Sequence, residues 1–214
     1  RCEGNIMVSN PFWCKTVSEY KSETARWIQA PDMQNYMDLA IFFDSFAVAG
    51  DKDLLINLKD DLFNKLHDKD VFMAYFAKAT LTFDTPNTIA NFMTKSHNID
   101  IKKAAVFPIV QGIRSLALRE KIRETTTVKR IKILEEKKIL ERSKAAELLE
   151  AFDVVNTLRL KAQLDDIQDN KEVNNEIDTH TLGKIERDLL KDSFKIVIEF
   201  KKFINYTFRI DKIS

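Results

Sequence analysis

The sequence predicts a mainly α protein: a helical bundle of about five to seven helices preceded by a small α/β segment. Three observations point there. Only four glycines and four prolines occur in 214 residues, too few for the tight turns of an all-β fold. From residue 51 onward the apolar residues recur at helical spacing. Ahead of that, a dense apolar run has the composition of a strand. The 44% hydrophobic and 31% charged residues are the balance of a folded soluble chain and not of a disordered one.

Each element follows in order. Asn10-Pro11 signals a turn, and residues 16–29 read as a short amphipathic helix carrying Tyr20 and Trp27, stopped by Pro31-Asp32. The run Leu39-Ala40-Ile41-Phe42-Phe43-Asp44-Ser45-Phe46-Ala47-Val48 ends at Gly50-Asp51. Its aromatics and length favour a strand, which must pair with a sheet lying mostly elsewhere because a lone strand leaves backbone groups unsatisfied. Leu54, Leu55, Leu58 and Leu62 form the next helical stripe, and Val71, Phe72, Tyr75, Phe76 and Ala79 the one after. A short helix is expected over 88–94, then a loop over 96–103. Pro108 suits the first turn of a helix through Ile109, Ile113, Leu116 and Ala117. A charged hairpin over 119–144 leads to two long helices, about 143–167 and 183–208. Gly183 and Glu186 give the second of these a capping signature. The polar stretch 169–180 between them is expected to be an exposed loop.

Composition excludes several function classes. A net charge of +1 supplies no drive toward nucleic acid or anionic membrane. The 119–144 segment holds ten Lys or Arg against five Glu, yet it has no aromatic stacking residue, so a solvated hairpin is favoured over an RNA- or DNA-binding helix. No apolar run approaches the ~20 residues that span a bilayer. Cys2 and Cys14 are the only cysteines. A disulfide between them and two free thiols are both open, and a cytoplasmic location favours thiols. His67, His97 and His180 stand without second ligands at zinc spacing. Neither G-x-S-x-G nor G-x-x-x-x-G-K occurs, which removes α/β-hydrolase and P-loop readings. The chain opens at Arg1 and not Met, and reads as a piece of a longer protein.

The informative residues are polar groups where the helical period asks for apolar ones. Leu148, Phe152, Val155 and Ala162 define an inward stripe, with Arg159 in its middle and Gln163 beside it. A buried guanidinium needs an internal carboxylate, an anionic ligand or an open cleft. Arg114 poses the same question at the edge of its own helix. Asp100 and Lys102 lie on a loop ahead of a helix, where function often resides. Arg187 and Lys191 lie one turn apart in the last helix. For all of these, an internal salt bridge or a solvated face is the alternative.

Several segments, taken in order, resemble a known family. Gly4-Asn5-Ile6-Met7-Val8-Ser9-Asn10-Pro11-Phe12-Trp13 resembles a G-x-x-M-x-x-N-P-x-W segment of a bacterial nucleotidyltransferase family. The family's catalytic core is similar to that of the PII-protein uridylyltransferase, and its members often carry cyclic-nucleotide-binding and CBS sensor domains upstream. The run from Ile41 to Asp51 resembles the F-F-D-x-R-x-V-x-G-D strand closing that core, with Phe46 standing where the family has Arg. Ile99-Asp100-Ile101-Lys102 with Pro108, Ile109, Val110 and Arg114 is similar to I-D-[LI]-K…P-[IL]-V…R. Leu158-Arg159-Leu160 with Gln163 is similar to L-R-L-x-x-Q. Glu186-Arg187 with Leu190, Lys191 and Phe194 is similar to E-R-x-x-L-K-x-x-F.

The resemblance implies two parts: residues 1–50 as the end of the catalytic domain, and 51–214 as the helical substrate-binding domain. It implies that Asp44 is a third metal-binding carboxylate, acting with Mg2+ on a nucleoside triphosphate attacked at its α-phosphorus. It also implies that Asp100, Lys102, Arg114, Arg159, Gln163 and Lys191 contact nucleotide or substrate. A protein or small molecule would accept the nucleotide in bacterial signal transduction. The chemistry further requires a Gly-Ser turn and a D-x-D pair. The four glycines are followed by Asn, Asp, Ile and Lys, so this chain alone is expected to be non-catalytic. The rival reading is a helical interaction or dimerisation module, with a homodimer as its simplest form.

Overall fold

The computed structural model describes residues 10, 12–86 and 98–213. Cys2, residues 4–9, Pro11, the helix expected over 88–94 and His97 lie outside the described residues. Among the described residues there are eight α-helices and one two-stranded antiparallel sheet, confirming a mainly α chain. It divides into two compact units, Arg1–Phe72 with Arg123–Thr125, and Met73–Ile122 with Thr126–Ser214.

In the first unit, α1 spans Val17–Gln29, α2 Met33–Phe43 and α3 Lys52–Lys65. Thr16 opens α1 with a reciprocal cap: its Oγ1 accepts the Glu19 amide at 3.2 Å, and the Glu19 carboxylate accepts the Thr16 amide at 2.6 Å. The strand expected through residues 39–48 is instead the end of helix α2 as far as Phe43, followed by a turn and loop. Asp32 is a start signal as well as a stop, since its carboxylate accepts the Asn35 amide at 2.7 Å. The buried residues of α2 are Asn35, Asp38, Leu39, Phe42 and Phe43, a helical period whose first members are polar. The apolar run alone could not reveal it. Trp27, fully buried, meets Phe42 at 6.0 Å, and Tyr20 stacks on the same ring at 5.5 Å. Helix α3 packs on α1, so the division expected after Gly50 falls inside this unit. The buried stripe of α3 is Leu58, Lys59, Leu62 and Phe63, turned away from Leu54, which is half exposed.

Helix α4, Asp70–Lys78, likewise buries Phe72, Met73, Phe76 and Ala77 and leaves Val71 and Tyr75 exposed. The second unit continues with a short 3-10 turn, Ala79–Leu81, and strand β1, Asn98–Asp100. A π-helical turn, Lys102–Val106, runs directly into α5, Phe107–Arg119, with Pro108 in its first turn as expected. Then come α6 (Thr127–Glu136), α7 (Arg142–Gln168), β2 (Glu176–Asp178) and α8 (Lys184–Phe208). The two long helices match the expected spans closely and form the most extensive helix pairing of the unit. The Glu186 carboxylate accepts the Gly183 amide at 2.8 Å, as the capping signature predicts. Where an exposed loop was expected over 169–180, β2 pairs antiparallel with β1, Ile99 opposite Ile177 and Asp100 opposite Glu176. Only Ile177 of that strand is buried, so no alternating run announced it. The short ladder fixes the chain beside α7, where the candidate site lies.

Candidate functional site

Helix α7 buries Ala145, Leu148, Ala151, Val155 and Leu158. That stripe corrects the sequence reading: Leu158, not Arg159, occupies the inward position, while Phe152 and Ala162 are half-buried. Arg159 stands at the edge of the core, half-buried. Its Nε donates to Asn175 Oδ1 at 2.7 Å. Among the described residues this is its side chain's one hydrogen bond, and no carboxylate closes on it. One turn on, Gln163 Nε2 donates to the Asn174 carbonyl at 3.2 Å and more distantly to Asn175 Oδ1 at 3.5 Å.

The segment holding Asn175 is fixed from several sides. Helix α7 ends with Asn170 in the left-handed conformation, φ 55°, a role Asn fills best after Gly. Asn174 Oδ1 accepts the Glu176 amide at 2.6 Å, an Asx turn. Asp166 accepts the Asn174 amide at 3.5 Å. The Asn175 carbonyl accepts the Ile101 amide at 3.0 Å, extending the β1–β2 ladder by one bond. Arg159 is thus anchored by a neutral amide whose backbone is itself pinned.

Asp100 sits at the end of β1 opposite Glu176. Its carboxylate accepts the Lys103 amide at 2.9 Å and the Lys103 ammonium at 3.2 Å. It therefore holds the lysine three residues on, Lys103. Lys102 follows Ile101, is exposed, and its side chain has no hydrogen bond or ion pair among the described residues. The structure thus gathers Asp100, Lys102, Arg159 and Gln163 around the β1–β2 ladder.

Two expected members stand apart from that group's bonds. Arg114 donates to Gln111 Oε1 at 2.6 Å on its own helix, and Gln111 in turn donates to the Phe76 carbonyl at 3.0 Å. Lys191 is half-buried on α8, and its side chain has no hydrogen bond or ion pair among the described residues. Lower on α8, Glu186 bridges to Lys161 of α7 at 2.6 Å. That bond, followed by the Gly183 amide, holds the Glu186 carboxyl below its ordinary range.

Asp44 belongs to the first unit. It is the C-cap of α2, with its amide on the Ala40 carbonyl at 3.1 Å. Beside that helix end the buried Lys59 ammonium donates to the Ser45 carbonyl at 2.7 Å, a cation placed where the helix dipole favours one. Among the described residues no three His, Cys, Asp or Glu side chains come together to hold a metal. A Mg2+ ion on Asp44 would need carboxylates from outside the described residues.

A groove of about 580 Å3 in the second unit, lined among others by Lys144, Leu148, Ile196, Phe200, Phe203 and Tyr206, includes none of the Arg159 group. Among the described residues no helix is long and apolar enough to cross a membrane. Sequence reasoning missed Asn175, Lys103, Lys59 and the fully buried Arg130. The Asn174-Asn175 pair was visible as a turn signal, but its partner on α7 was not.

Comparison with known proteins fits this arrangement. Residues 1–34 match the family model described as "Putative nucleotidyltransferase", and residues 70–208 match the one described as "Putative nucleotidyltransferase substrate binding domain". No curated protein and no solved structure matches the chain. The second match covers more than half of the sequence and contains every residue of the Arg159 group, so the chain belongs to the nucleotidyltransferase substrate-binding domain family.

Proposed function

We propose that the second unit captures the anionic part of a nucleotide or acceptor substrate at Arg159, serving a nucleotidyltransferase whose carboxylates are supplied outside the described residues. The observation that carries this is the guanidinium itself. It is half-buried, held at Nε by a neutral amide, and its two terminal nitrogens have no partner among the described residues. A cation left in that state carries a desolvation cost that an oxyanion offsets, with two parallel charge-assisted hydrogen bonds. Lys102 adds an exposed positive charge one residue beyond the ladder bond. Lys191 and Arg114 stand as further candidate contacts, and Asp100 as the group that sets Lys103.

Calorimetric titration of the chain with each of the four nucleoside triphosphates tests the reading. Binding that falls at least about tenfold in Arg159→Ala, with unchanged unfolding temperature, supports it. Equal binding in the two proteins removes it.

A second reading, a helical module that docks a partner or a second copy, is favoured by one observation. Leu160, Leu164 and Ile167 on α7 and Ile185 and Leu189 on α8 are large apolar side chains left exposed. Sedimentation velocity tests it: a monomer across the micromolar range argues against self-association.

A further inference from the structure

The side chain that meets Arg159, Asn175, is a neutral amide. Arginines at the edge of a helical core are ordinarily met by Asp or Glu, which cancels their charge and fills their fork. Here the acceptor on Nε is an amide oxygen at 2.7 Å, and the same oxygen is within 3.5 Å of Gln163 Nε2. The bond to Nε uses the side of the guanidinium and leaves open the end that carries the two terminal nitrogens. That end presents parallel donors at the spacing of two oxygens on one carbon or phosphorus. Asp166, two turns on along the same helix, accepts the Asn174 amide at 3.5 Å.

We infer that Asn175 is the specificity-determining residue of this site: it positions Arg159 without neutralising it, so the site takes a terminal oxyanion, phosphate or carboxylate, and rejects neutral groups. The inference rests on the reading of Arg159 as the anion contact, and deepens it by naming what sets the site's charge. An Asp at the same position would keep the hydrogen bond to Nε and lose the guest. An Ala would free the guanidinium but keep the charge. The two substitutions therefore separate charge from positioning.

The test is calorimetry of the whole chain with ATP, with inorganic tripolyphosphate and with citrate, each at several salt concentrations, alongside thermal unfolding. The expected order of affinity is wild type, then Asn175→Ala, then Asn175→Asp, with the last down at least about tenfold. Asn175→Asp should also show a flatter dependence of affinity on salt while unfolding no earlier than wild type. A role confined to folding would move the unfolding temperature and not the salt slope. Gln163→Glu places a carboxylate beside the same guanidinium by another route, and should weaken anion binding even if Asn175→Asp does not fold. ATP binding without tripolyphosphate binding would assign the oxyanion to a nucleotide; citrate binding alone would assign it to a carboxylate. If Asn175→Asp and Gln163→Glu bind as wild type while Arg159→Ala does not, Asn175 has no such role and the Arg159 reading stands. If Arg159→Ala binds as wild type, or wild type binds none of the three probes at millimolar concentration, both are overturned.

Discussion

Arg159 Nε and Asn175 Oδ1 lie 2.7 Å apart, joining the long helix α7 to the turn that enters β2. The bond needs the planar, side-on donor that only arginine has. Arg159→Lys keeps the charge but replaces the fork by a mobile ammonium. Its affinity for nucleoside triphosphate should fall about tenfold, between wild type and Arg159→Ala, with the unfolding temperature within about 2–4 °C of wild type. Titration calorimetry with a thermal scan reads both. A lysine variant that binds as tightly as wild type would show that charge alone, not the anchored fork, does the work.

At Gly112, α5 lies so close to α8 that there is no room for a side chain. A Cβ added there would sit 2.5 and 2.8 Å from two carbons of the Phe200 ring and 3.1 Å from Ile204 Cγ1. Phe200 and Ile204 are both buried, so neither moves without opening the core. Gly112→Ala, ordinarily favourable in a helix by up to ~1 kcal/mol, should here destabilise by about 1–3 kcal/mol. Urea unfolding followed by circular dichroism gives the value. A stabilised variant would mean the helices separate freely at this point.

The long helices were legible because their apolar period runs for many turns and their caps are local signals. The Gly183–Glu186 cap and Pro108 needed no tertiary knowledge, and α7 and α8 matched their expected spans within a residue or two. Residues 39–43 were not legible. Five consecutive apolar residues fit strand and helix alike, and the period that decides between them begins at Asn35 and Asp38, polar residues that are buried. The Arg159 site was half legible. A cation near an apolar stripe marked the place, but Leu158 and not Arg159 proved to be the inward residue. Asn175 lies 16 positions away, and only the β1–β2 ladder brings it to α7. A strand of three residues with one buried side chain leaves almost no trace in a sequence.

Lys59 is 4% exposed, and its ammonium donates to the Ser45 carbonyl at 2.7 Å just past the end of α2. It lies 5.7 Å over the Phe43 ring, a distance at which the ring face attracts a cation. Lys59→Met keeps the volume and removes the charge and the donor, leaving the Ser45 carbonyl without this bond in a half-buried setting. Loss of a charged hydrogen bond of this kind costs about 1.5–3 kcal/mol, and the effect should fall on the first unit. Hydrogen exchange should show faster opening of α2 and α3, with α7 and α8 unchanged. Uniform acceleration, or none in α2, would contradict the assignment.

Glu186 links the start of α8 to α7 through Lys161, and the same carboxylate caps the helix through the Gly183 amide. Both bonds favour the ionised form, and the Lys161 bond is the larger cause of the carboxyl's lowered pKa. The sign follows. A carboxyl with a lower pKa in the folded than in the unfolded chain contributes stability above its unfolded pKa, about 4.3, and loses it as pH falls through the folded value. The pair lies at the surface, with Glu186 partly and Lys161 largely exposed, so the contribution is modest and screened by salt. The difference in unfolding temperature between wild type and Glu186→Gln should be constant from pH 6 to 8 and shrink progressively as pH drops below about 4.3. Thermal scans of the two proteins across that range measure it. A difference that acidification leaves unchanged would show that the carboxylate's charge is not what ties α8 to α7.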